Sequence, residues 1–366
     1  MLKNLILALI GAVILVTVLW GLLWLTGTEP VEEVSSKWSA SGHADRSSQS
    51  FTHWDEDEPP QIPPFCAKCH SAYGYLDFLG EDGSTPRQVD NPAETGSVVN
   101  CASCHNDAAH EMTSVEFPSG AEVTGLGQSA NCMQCHQGLE STGSVNDAIA
   151  GLNADEVYTE LGFINVHYAV GAATKMGSEV RVAYQYEGQE YAGFYEHVPD
   201  LQWCTECHDS HSTRIQPDEC SPCHLNVVDY GDIFDIRNSE VDYDGDGDVS
   251  EGIYYEIDAF RQAFYEAMQS YADSVVGTPI LYAPSFPYYF IDTDGDGEAD
   301  SEETSFGNQY ATWTPRLVRT AYNYHYVQED PGRFAHNPEY ILQILYDGIE
   351  DLNEQVSTPI DTLTRP

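Results

Sequence analysis

All ten cysteines of this 366-residue chain fall in five copies of one pattern, Cys-x-x-Cys-His. The copies are Cys66-Ala67-Lys68-Cys69-His70, Cys101-Ala102-Ser103-Cys104-His105, Cys132-Met133-Gln134-Cys135-His136, Cys204-Thr205-Glu206-Cys207-His208 and Cys220-Ser221-Pro222-Cys223-His224. Two thiols three positions apart can form thioethers to the two vinyl groups of one porphyrin, and the adjacent histidine then meets the iron. A disulfide framework or zinc ribbons would scatter the cysteines, or pair them without an obligatory following histidine. Five matches with no cysteine left over therefore predict five covalent haem c groups. The fold is constrained too: each porphyrin supplies a large flat apolar body, so a haem-bearing segment needs few hydrophobic side chains and little regular secondary structure.

These motifs resemble those of the multihaem c-type cytochromes, and the whole arrangement is similar to that of the membrane-anchored polyhaem members. The likeness covers residues 43 to 224; Trp313-Thr314-Pro315-Arg316-Leu317 and Phe334-Ala335-His336-Asn337 resemble the family more loosely. The resemblance implies closely spaced bis-histidine haems that pass electrons along the chain, attached outside the cytoplasmic membrane.

Thirteen histidines are present, and the motifs use five. The other eight are His43, His53, His110, His167, His197, His211, His325 and His336. A second imidazole would keep each iron low-spin and closed to substrate, which favours electron transfer over chemistry at the metal. His211 resembles the family's histidine that follows a motif and ligates a neighbouring haem, and Ser41-Gly42-His43-Ala44 resembles its upstream distal site. His167 precedes a small-residue stretch that can approach a porphyrin closely, His197 lies seven residues before Cys204, and His336 directly precedes a capped helix. These five are the expected distal ligands. His110 is the reserve, His325 shares a face with Val318 and Tyr322 and suits a packed core as well as a ligand, and His53 reads as an exposed linker residue. Met112, Met133, Met176 and Met268 have no context that supports ligation.

Residues 1–29 contain an apolar run, Leu5 to Thr26, with no charge between Lys3 and Glu29. A hydrocarbon core needs about 20 helical residues, whereas the apolar part of a cleaved signal runs about 7 to 15. The expectation is a retained single-pass anchor, Lys3 inside and Glu29, Glu32 and Glu33 outside, with a periplasmic or extracellular body. The chain carries 59 Asp plus Glu against 14 Lys plus Arg. Such a surface repels nucleic acid and anionic lipid, and suits a saline habitat, a basic redox partner or calcium.

Residues 30–64 read as a polar linker, 65–224 as the pentahaem domain, and 225–366 as a haem-free helical lobe. The haem domain is expected to be loop-rich with short helices, and alternation at Val180, Val182, Tyr184 and Tyr186 before Glu187-Gly188 predicts a small β-hairpin. In the lobe, Ile257, Phe260, Phe264, Ala267, Met268 and Tyr271 recur at helical spacing, as do Ile341, Ile344, Leu345, Ile349 and Leu352. Thr314-Pro315 and Asn337-Pro338 each set a capping residue before a proline at the first helical position.

Two segments of the lobe read as EF-hand-like calcium loops. Asp242, Asp244 and Asp246 occupy positions 1, 3 and 5, with Gly247 at 6 and Asp248 beside it; Asp292, Asp294, Asp296, Gly297 and Glu298 repeat this, and Glu303 falls at position 12. The first loop has Ile253 at position 12, so Glu251 or Glu256 would have to close its shell. The expected role is structural, since a cation relieves the mutual repulsion of the carboxylates.

The functional expectation is an electron carrier, not an enzyme, that links a membrane donor to a periplasmic or extracellular redox partner in anaerobic respiration. Two other readings are a nitrite or hydroxylamine type oxidoreductase with one open haem, and a subunit of an extracellular cytochrome filament. Pentahaem nitrite reductases characteristically place a lysine at one motif histidine, and no motif here does.

Overall fold

The computed structural model describes residues 29–199 and 201–366, so the expected N-terminal anchor lies outside the described residues. Among the described residues, no helix is long and apolar enough to cross a membrane. The chain is loop-rich, with short helices and three two-stranded antiparallel sheets: Gln61–Ile62 with Ala93–Glu94, Ser114–Glu116 with Glu122–Thr124, and Ile280–Tyr282 with Tyr289–Ile291.

Among the described residues, the long helices lie in the C-terminal third. Ile253–Tyr271 buries Ile257, Phe260, Phe264, Ala267, Met268 and Tyr271 along one face, as its 3.6-residue period requires. Pro315–Gln328 begins where the Thr314 hydroxyl accepts the Leu317 N–H at 3.1 Å, and Pro338–Asn353 where Asn337 Oδ1 accepts the Tyr340 N–H at 3.1 Å. Both caps satisfy a donor that has no partner inside its helix. Gly348 lets the last helix approach the Ile253–Tyr271 helix, because a Cβ there would stand 2.5 Å from the Phe264 ring.

The main core does not stop at residue 225. Val115, Phe117, Met133, Val166, Val170 and Val182 join Phe260, Phe264, Leu317, Tyr322, Ile344 and Leu345 in one buried cluster. Earlier segments hold only two small clusters, Ile62 with Ala67 and Ala93, and Tyr75 with Leu79 and Ala109. That contrast leaves these segments short of apolar side chains of their own. The buried Arg316 guanidinium ties the chain's parts together, pairing with Asp155 at 2.7 Å, Glu354 at 2.8 Å and Asp351.

Two expectations are corrected. The stretch Val180–Tyr186 forms no hairpin, because side chains from other elements take its backbone groups. Asn323 accepts the Tyr184 N–H at 2.8 Å and donates to Tyr184 O at 2.9 Å, Thr142 Oγ1 donates to Ala183 O at 2.7 Å, and the Tyr322 hydroxyl donates to Val182 O at 2.7 Å. Those bonds replace the ones a partner strand would make. The 30–64 segment is folded onto the body: it contains helices Val31–Ser39 and Gln49–Thr52, buries Phe51, and Trp38 Nε1 donates to Val99 O at 3.0 Å. Serine-rich composition hid a segment whose few aromatics pack.

Phe264→Ala is expected to cost about 3–5 kcal/mol by leaving a cavity under Gly348, whereas Tyr255→Ala on the exposed side of the same helix stays within about 0.5 kcal/mol. Denaturant unfolding of the two variants measures the difference.

Candidate haem and metal sites

Each motif sits on or at the end of a single helical turn, which sets two thiols three positions apart on one side. Cys66 and Cys69 lie in Pro64–His70, Cys101 and Cys104 bound one helix, and Cys204 and Cys207 another; Cys132 lies in Ser129–Met133 and Cys220 ends Pro217–Cys220. Local chemistry starts these turns: proline at the first positions of two, Asn100 Oδ1 accepting the Ala102 N–H at 2.9 Å, and Glu206 Oε2 accepting the Trp203 N–H at 2.7 Å. No disulfide joins any two of the ten cysteines.

Every motif histidine faces a second histidine. Ring centres are 5.8 Å apart for His70 and His167, 6.2 Å for His105 and His211, 6.3 Å for His136 and His43, 6.4 Å for His208 and His336, and 6.1 Å for His224 and His197. A metal–imidazole bond of about 2 Å on each side, plus about 1 Å from ligating nitrogen to ring centre, puts two axial rings about 6 Å apart. The residues therefore fit a haem iron between each pair. Burial holds His43, His70, His167, His197 and His208 below the ordinary histidine pKa, and pushes His136 down to about 4, in the neutral form a metal ligand needs.

The three remaining histidines are placed otherwise. His110 is exposed on helix Asp107–Glu111, and His53 is exposed with its ring 4.8 Å from that of Trp54. His325 is fully buried: Nε2 lies 2.9 Å from Asn165 Oδ1, and Nδ1 3.3 Å from the Tyr282 hydroxyl. Burial lowers its pKa to about 3.

The motifs crowd one another. The thiols of Cys69 and Cys135 lie side by side, as do those of Cys132 and Cys204. Asn131, next to Cys132, donates to Cys104 Sγ at 3.2 Å. The Gln216 N–H donates to Cys207 O at 2.9 Å, which joins the fourth motif to the fifth. The third motif thus touches the first, second and fourth.

A further residue acts on this set without being legible as a ligand. Asp330, 2% exposed, places its carboxylate oxygens 2.8 and 2.9 Å from His336 Nδ1. Burial lowers the His336 pKa, but the Asp330 carboxylate raises it by more. The available signal was an aspartate six residues before a candidate ligand, in the turn Glu329-Asp330-Pro331-Gly332.

The acidic loops gather three groups of carboxylates: Asp242, Asp244 and Glu256; Asp244, Asp246 and Glu251; and Asp292, Asp294 and Glu303, each with ligand atoms within 4.8 Å. Asp248, Asp296 and Glu298 stand outside these groups, and Asp248 instead accepts from the Ser250 hydroxyl at 2.6 Å. Glu256 already has a cation, Arg237, at 2.6 Å. Glu251 and Glu303 do not: one buried carboxylate oxygen of each, Oε1 and Oε2, has no hydrogen-bond donor. Burial and the neighbouring Asp244 and Asp246 push Glu251 up to about 7, the mark of carboxylates that a cation would relieve.

Two curated relatives, both from Geobacter sulfurreducens, match most of the chain. The C-type polyheme cytochrome OmcB is 23% identical over 382 residues, covering 87% of this chain and 48% of the relative. The C-type polyheme cytochrome OmcC is 23% identical over 410 residues, covering 92% of this chain and 49% of the relative. The chain thus spans about half the length of the curated relatives it matches. No protein-family model matches it, and no solved structure does.

Near His325, burial raises the Glu329 carboxyl from 4.5 to about 7, so the folded state binds the extra proton between those values. Stability from this group is therefore present at low pH and falls as pH rises from 4.5 to 7. Glu329→Gln is expected to remove that decline, as read from unfolding midpoints at the two ends of the window.

Proposed function

We propose that this multihaem c-type cytochrome transfers electrons through five haem c groups, each bound by one motif histidine and by His167, His211, His43, His336 or His197. The five imidazole pairs carry this reading. Haem supplies a one-electron iron couple, and two imidazoles per iron keep that couple closed to substrate. The chain's part is to hold neighbouring sites close. The contacts among motifs support a path from the first motif through the third to the fourth and fifth, with the second as a branch on the third.

The apolar run of residues 1–29 is read as a single-pass anchor that keeps the body outside the cytoplasmic membrane, between a membrane donor and a periplasmic or extracellular acceptor. The acidic surface would steer a basic redox partner. Calcium is the cation assigned to the carboxylate groups closed by Glu251 and Glu303, and its role is to brace the C-terminal loops.

Electron paramagnetic resonance of the oxidised protein tests the ligation. Five low-spin ferric haems are expected. His211→Ala is expected to convert one of them to a five-coordinate, high-spin iron, while His325→Ala leaves all five low-spin. A high-spin iron in the native protein would instead favour an oxidoreductase with an open haem.

For calcium, calorimetric titration is expected to find two sites, reduced to one in Glu303→Gln. Chelation should lower stability, by about 2.7 kcal/mol for each site if calcium was present at a hundred times its dissociation constant.

A further inference from the structure

We infer that Asp330 makes the iron between His208 and His336 the most negative in potential of the five, so that the fourth haem is an energetic step between the third and the fifth. This rests on the reading of the paired histidines as axial ligands. With iron on Nε2, Nδ1 of His336 carries the hydrogen and donates it to a buried carboxylate at 2.8 and 2.9 Å. Such a bond draws the proton toward Asp330 and makes Nε2 a stronger donor, which favours ferric over ferrous iron. The fixed negative charge acts in the same direction, and its burial leaves little water to screen it.

The other axial histidines have no such partner. His70 Nδ1 lies 2.7 Å from Ser50 O, and His208 Nδ1 lies 3.2 Å from Thr213 O; both are neutral carbonyls. Among the described residues, no carboxylate pairs with any other member of the five pairs.

The ring is also clamped. A Cβ on Gly171 would stand 2.8 Å from His336 Cε1, and one on Gly332 2.7 Å, so two glycine backbones pinch the imidazole and hold its Nδ1 toward Asp330. Asp330 is held in turn by the Gly332 N–H, which donates to Oδ1 at 3.0 Å. Lys175 works against the carboxylate, since it lies near Cys204 and Cys207. It touches no axial ligand, however: its Nζ donates to Tyr195 O at 2.8 Å and packs over the Phe194 ring at 5.0 Å.

The position of this haem gives the inference its functional content. Cys204 touches Cys132 of the third motif, and the Cys207 carbonyl accepts from Gln216, which caps the helix that carries Cys220 of the fifth. An electron moving between those neighbours reduces the fourth iron from ferric to ferrous and leaves it again, with no proton transferred. It climbs on entry and descends on exit, whichever way it travels.

Potentiometric titration of the full chain, followed by visible and paramagnetic resonance spectra, tests this with Asp330→Asn. Asparagine keeps the shape and the acceptor for Gly332 but removes the charge. One of five couples, the most negative, is expected to shift at least tenfold toward the ferrous form, about 59 mV for one electron, with a smaller shift in the third, whose His136 also feels the Asp330 charge, and none in the other three. Five unmoved couples, or one small shift shared by all, would overturn the assignment. His336→Ala is independent of that variant's folding. It must remove the most negative couple from the low-spin set, and loss of any other couple also overturns it. If the native protein does not hold five low-spin haems, the ligation reading itself has failed, a result distinct from either of these.

Discussion

Five pairs of imidazole rings, each 5.8–6.4 Å apart, are what the rest of the molecule is arranged around. Four of the pairs join residues roughly a hundred positions apart, and closing loops of that length costs entropy that local contacts do not repay. Under the proposed ligation, covalent attachment and axial bonds would offset this cost. They would also account for the sparse packing early in the chain, where there are two clusters of three buried side chains each and Cys66 packs against the first.

The C-terminal third solves a different problem. It has no cysteine, so it builds an ordinary helical core and then shares it with the segment from Val115 to Tyr184. In that way a region without Cys-x-x-Cys-His motifs helps fix the geometry of a region that has them. His336 comes from its short helix Arg333–His336 and Asp330 from the turn just before it, and the glycine clamp on His336 draws one backbone from each side, Gly171 and Gly332. Arg316, bonded to Asp155, Asp351 and Glu354, closes the same joint with charge. In a chain of net charge −45, such a cation has few competitors for carboxylates.

The motifs, the long helices and their caps were legible because each rests on a short-range pattern: fixed cysteine spacing, a 3.6-residue apolar period, or a polar residue before proline. The choice of His43, His167, His197, His211 and His336 drew on neighbouring small residues, caps and family resemblance, and all five face a motif histidine; which faces which was beyond sequence, because it depends on loop paths. The Val180–Tyr186 stretch misled for a physical reason. Its alternation marks two-sided burial, and side chains such as Asn323 and Thr142 can satisfy an extended backbone as well as a strand can. Asp330 offered only its place six residues before His336, and nothing local distinguishes a buried aspartate from a surface one in so acidic a chain. Glu251 and Glu303 were named in advance, but that each leaves an oxygen without a donor needed coordinates.

His336 is the last of the thirteen histidines in the chain, and the residue it faces, His208, precedes it by more than a third of the protein's length. During synthesis, which runs from the N-terminus, the other four pairs have all emerged by residue 224. The fourth site alone waits for the terminal helices. That pair can therefore form only once residue 336 has been made, more than a hundred residues after the others.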